Sequence, residues 1–140
     1  MGQEIDTGEL TAILRQTADV QAWPGPWLPA DSFAAYYDEM LKTHGRRRAA
    51  AIANSGLEMH YAYQIMAGRK KASRDKLICL CIGAGMTVKQ TDRALQRGMV
   101  SPLYPKRKRD AIIMKALDGG IDAVWKVNTL LANQGEDLLQ

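Results

Sequence analysis

From residue 46 to residue 71 the chain reads RRRAAAIANSGLEMHYAYQIMAGRKK, and the bend at Ser55-Gly56-Leu57 constrains the fold more than any other segment. The runs on either side are short and helix-compatible. Gly56 can adopt the left-handed backbone that other residues resist, so the sequence predicts two helices joined by a sharp turn. In the first run the alanines and Ile52 can pack inward. In the second, Ala62, Ile65 and Met66 recur at helical spacing and can face a core, which leaves Met59, His60, Tyr63 and Gln64 pointing outward.

The other periodic segments are helical too. Residues 7–23 carry Leu10, Ile13 and Leu14 on one stripe, and Pro24-Gly25-Pro26 with Pro29 forbids continuation. Asp31 or Ser32 can cap the next helix, in which Phe33, Tyr36, Tyr37, Met40 and Leu41 follow helical spacing up to Gly45. Ser73 can cap a helix apolar almost all round from Leu77 to Ile82, expected to be central and buried. Thr87 and Gln90 match a capping box for a helix ending near Gly98. An extended connector, Pro102-Leu103-Tyr104-Pro105, leads into a helix over 106–118. Gly119-Gly120 breaks that helix, and Asp122 can cap a last one carrying Val124, Val127 and Leu131.

The expected fold is therefore all-α. It divides into an N-terminal helix and Pro/Trp-rich loop (1–30), a five-helix bundle (31–100) and a C-terminal helical hairpin (101–140). The hairpin either packs on the bundle or forms a dimer interface. At 140 residues one folded domain is expected, too short for a catalytic domain with a separate regulatory one.

Charge is distributed unevenly. Residues 42–115 hold 17 Lys and Arg against four acids, Glu58, Asp75, Asp92 and Asp110, while both flanks are acidic, so a net charge of +4 conceals a basic middle. Such a stripe suits a polyanion, although a solvated cationic surface would look the same. Lys106, Arg107, Lys108 and Arg109 collect four cations at a helix start, where the dipole disfavours them unless anions such as phosphates, or water, compensate. Glu4, Asp6 and Glu9 stand where a signal peptide would carry cations, and the longest apolar stretch is broken by glycines. No membrane partner is expected, and the expected location is cytoplasmic.

The run from Phe33 to Gly98 resembles the Cro and lambda-repressor-like helix-turn-helix family, also called the xenobiotic-response-element (XRE) family, of bacterial transcriptional regulators. Gly56 falls at the family's turn glycine, Ile65 and Met66 at its paired apolar positions, and Gly68 where its recognition helix ends. The stretch GRKKASRDKL resembles the passage into the fourth helix. The resemblance implies a recognition helix over 58–67 in the major groove of double-stranded DNA, with Met59, His60, Tyr63 and Gln64 at base edges. Gln64 is the strongest choice, because an amide pairs in two-pronged fashion with adenine. It further implies Arg46, Arg47, Arg48, Arg69, Lys70, Lys71 and Arg74 on phosphates, with Lys106 to Arg109 as additional candidates. Ile52 and Met59 depart from the family's usual residues at their positions. The tail resembles a helical hairpin appended to some regulators of this kind.

Other classes find less support. Two histidines and the closely spaced Cys79 and Cys81 match no zinc or redox pattern, and no metal or cofactor is expected. No nucleophile has a base singled out beside it, and the paired acids fall on an ordinary helix surface, Asp38-Glu39, or in a tail expected to fray, Glu136-Asp137, so catalysis is not expected. The expected function is sequence-specific transcriptional regulation, with a homodimer on paired half-sites. The alternatives are a protein-interaction adaptor docking a protein partner through the acidic ends and the loop over 23–28, or an antitoxin-like protein combining both roles.

Overall fold

A computed structural model of the chain describes residues 31–140, and among these all regular structure is helical. The described helices are α1 (Phe33–Thr43), α2 (Arg48–Ser55), α3 (Met59–Met66), α4 (Arg74–Gly83), α5 (Val88–Arg97), α6 (Lys108–Asp118) and α7 (Val124–Asn133). The expected helix over 7–23 and the loop after it lie outside the described residues.

Local chemistry sets most boundaries. Ser32 caps α1 by accepting from the Ala35 N–H, Ser73 caps α4, and Thr87 with Gln90 closes both halves of a capping box on α5. The predicted stripe of α1 is buried in full, with Phe33 stacked on Tyr37. The Tyr37 hydroxyl donates to the Leu80 carbonyl at 2.8 Å, which satisfies a phenol that burial would otherwise penalise.

Helix α4 is the axis of the domain. Every residue from Leu77 to Gly83 is buried, so beyond its polar first turn the helix has no solvent face. Cys79 and Cys81, although only one residue lies between them, are both covered for that reason and both free thiols; burial pushes the Cys79 thiol up to about 12. The most extensive helix pairing is α2 on α4. It depends on Gly83, where any Cβ would collide with the Ala51 carbonyl oxygen. Helix α5 covers α1 and α4, and α3 packs on α1 and α2.

The hairpin packs on the bundle. Helices α6 and α7 pair with each other, α6 touches α5, and α7 touches α2 and α4. Ile113, Leu117, Val127 and Leu131 thereby join the same buried cluster as the bundle residues. Two expectations change here. Asp122 does not cap α7, whose start at Ala123 has no side-chain cap; its carboxylate is drawn instead to Arg46 at 3.1 Å. The segment after α7, expected to fray around Glu136 and Asp137, is fastened down. Leu139 is buried, its backbone N–H and C=O both bonded by the Asn128 amide, and Arg109 donates to the Asp137 and Leu138 carbonyls. Among the described residues no helix is long and apolar enough to cross a membrane.

Candidate nucleic-acid interface

The turn between α2 and α3 is built by three consecutive side-chain or backbone devices. Buried Ser55 donates its hydroxyl to the Ile52 carbonyl and accepts from the Leu57 N–H, closing the end of α2. Gly56 follows at φ +72°, the left-handed conformation its sequence position predicts. Glu58 then caps α3, its carboxylate accepting from the His60 and Tyr61 N–H groups at 2.7 and 3.0 Å. Those two bonds hold the Glu58 carboxyl below the usual range, and its charge complements the positive end of α3. The helix ends at Ala67, and Gly68 at φ +75° turns the chain into the basic loop.

Ala62, Ile65 and Met66 are buried, while Met59, His60, Tyr63 and Gln64 are exposed. Tyr63 and Gln64 line a shallow recess with His60, Arg48 and Arg69, bringing the start of α2 beside the outer face of α3. Met59 is 54% exposed, a large apolar side chain held in water. The face thus combines an amide, an imidazole, a phenol and a thioether on a rigid helix, groups able to donate, accept and contact methyls.

The cations expected on phosphates separate into two groups. Arg47, Arg69, Lys70 and Lys71 are exposed and form no ion pair among the described residues. Arg48 is exposed but reaches Asp38 at 3.0 Å. Arg46 and Arg74 turn inward instead. Arg46 bridges the Gly83 carbonyl and Asp122, and Arg74 grips Asp110 and the carbonyls of Ser101 and Pro102. The run at α6 divides likewise. Lys106 and Arg107 are exposed, Lys108 donates to the Gln134 carbonyl, and Arg109 pairs with Asp75 at 2.8 Å. A cation's sequence position does not reveal whether a distant carboxylate will claim it, and each of the three inward arginines pairs with a carboxylate at least 34 positions away.

Two residues on this face carry no sequence signal. Tyr61 is half-buried, and the ammonium groups of Lys70 and Lys76 lie 5.4 and 5.8 Å from its ring centroid. The ring holds both cations near α3. Its proximity to Lys76 arises from the packing of α3 and the loop against α4, which periodicity does not encode.

Together these features define an all-helical domain with an exposed, cation-flanked helix presented by a glycine turn. No family model matches the chain, and neither a curated protein nor a solved structure matches it.

Proposed function

We propose that this protein is a helix-turn-helix DNA-binding regulator in which α1 to α5 form a lambda-repressor-like bundle and α3 enters the major groove. The observation that carries the reading is the outward face of α3, where Met59, His60, Tyr63 and Gln64 stand beside exposed Arg47, Arg69, Lys70 and Lys71. In this reading the cations position the domain on phosphates and the α3 side chains select bases. Gln64 pairs with adenine through both its amide atoms. Regulation follows from occupancy of an operator, and a homodimer reads two half-sites.

The test is selection of bound fragments from random duplexes, followed by competition of the selected duplex against random DNA at physiological salt. Gln64→Ala is expected to lose roughly 1 to 3 kcal/mol of discrimination with little change in non-specific affinity. A wild-type protein that enriches no sequence would overturn the reading in favour of a protein-docking adaptor.

A further inference from the structure

Resting on the reading of α3 as a base-reading helix, we infer that the hairpin extends the duplex footprint: Lys76, Trp125 and Lys126 form a second backbone-binding strip that continues from Tyr61 and Lys70 across α4 to the first turn of α7. Lys76 is the link. Its ammonium lies 5.8 Å from the Tyr61 ring centroid, and the same residue lines a recess with Gly56, Leu57 and Trp125. The first turn of α7 therefore borders the bend that presents α3. There Trp125 is 68% exposed, and the Lys126 ammonium lies 5.6 Å from its ring centroid.

Charge complementarity identifies the occupant. Asp75, Asp110 and Asp122 are committed to the arginines that fasten the hairpin, Arg109, Arg74 and Arg46, and the Glu58 carboxylate is held by the His60 and Tyr61 N–H groups at the start of α3. Lys70, Lys76 and Lys126 form no ion pair among the described residues. What remains is a series of ammonium groups beside two aromatic rings, from half-buried Lys76 to exposed Lys126, with the exposed Trp125 indole at its end. This is acceptor-seeking chemistry suited to successive phosphodiesters rather than to base edges. The strip adds affinity without adding sequence preference, and it gives the appended hairpin a role on DNA besides covering the core.

The experiment uses the full chain and a fluorescently labelled 30-base-pair duplex, with dissociation constants measured between 50 and 200 mM KCl. The Lys76→Gln, Lys126→Gln double variant is expected to reduce the slope of log affinity against log salt by roughly 1.8, which shrinks the loss of affinity over that range by about tenfold, equally for selected and random duplexes. In a Trp23→Phe, Trp27→Phe background Trp125 is the remaining tryptophan, and its emission is expected to change on adding duplex. A double variant with the wild-type slope, beside an Arg69→Gln, Lys71→Gln control whose slope falls, would overturn the strip and leave α3 as reader. Trp125 emission indifferent to saturating duplex overturns it as well. Failure of the wild type to bind any duplex removes both readings.

Discussion

Arg74 and Asp110 meet in a two-pronged ion pair, Nη2 to Oδ2 at 2.8 Å and Nη1 to Oδ1 at 3.2 Å, that joins the first turn of α4 to the first turn of α6. The Asp110 side chain is only 3% exposed and also accepts from the Tyr104 N–H. Arg46–Asp122 and Arg109–Asp75 make the same kind of connection, so three arginine–carboxylate pairs fasten the hairpin to the bundle. Removing one partner of such a covered pair strands the other without solvation. Asp110→Ala is expected to destabilise the fold by roughly 3 kcal/mol, read as a lower urea midpoint. Arg74→Met with Asp110→Leu should recover part of that loss, because neither charge is then left alone. Equal losses in the single and double variants would mean the pair contributes only packing.

Acid should weaken the domain through these carboxylates. Burial pushes Asp38, Asp75 and Asp110 up, but guanidinium hydrogen bonds from Arg48, Arg109 and Arg74, with nearby positive charge, outweigh it and leave all three below the ordinary range. A carboxyl depressed in the folded state stabilises fully above its unfolded value of about 3.9, and that stabilisation is lost as pH falls through the folded values. Urea midpoints are expected to stay level from about pH 7 to about pH 5 and to drop below about pH 4. Asp75→Asn with Asp110→Asn should flatten the drop. Parallel curves for variant and wild type would place the acid sensitivity elsewhere.

The sequence reveals what is local. Stripes such as Phe33, Tyr36, Tyr37, Met40 and Leu41, and caps such as Ser32, Ser73 and Thr87, are visible because the information lies within one or two helical turns. The outward position of Met59, His60, Tyr63 and Gln64 follows from the same periodicity. Long-range pairing was not legible. Asp122 looks like an N-cap until Arg46, 76 positions earlier, claims it, and Glu136-Asp137 looks like a loose tail until Asn128 and Arg109 secure the backbone beyond it. Tyr61 shows the same limit at the candidate site, since its neighbour Lys76 comes from another helix.

Two glycines separate steric need from conformational need. At Gly83 a Cβ would strike the Ala51 carbonyl and approach the Ser55 nitrogen at 3.0 Å, and both are backbone atoms that cannot swing aside. Gly83→Ala must push α2 away from α4, at a cost of about 3 kcal/mol. At Gly56 nothing lies within 4 Å of the added carbon, so Gly56→Ala meets only the penalty of its φ of +72°, about 1 kcal/mol. Thermal unfolding of the two variants should therefore show the larger drop at position 83. The reverse order would contradict the close crossing of α2 and α4.

Helix α5 ends at Gly98, as its sequence predicts, with the left-handed turn falling one residue later. Gly98 is the natural candidate for a left-handed terminus, yet its φ is −79° and the left-handed residue is Met99 at +62°. A Cβ at position 98 would collide with Leu77 Cδ1, so the buried Leu77 side chain occupies the space that glycine leaves open. Met99 then takes the strained position, its N–H bonded to the Gln96 carbonyl and the Val100 N–H to the Leu95 carbonyl, while its side chain is 81% exposed. Because that side chain is so little covered, removing it sacrifices little contact. Met99→Gly is expected to stabilise the fold by about 0.5 to 1 kcal/mol, the relieved left-handed penalty being partly offset by a more flexible unfolded chain. Gly98→Ala should instead destabilise, as Leu77 is forced from its seat in the core. Urea titrations of the two variants give opposite signs if this division of labour holds, and a destabilised Met99→Gly would show that the methionine contributes contacts outweighing its backbone strain.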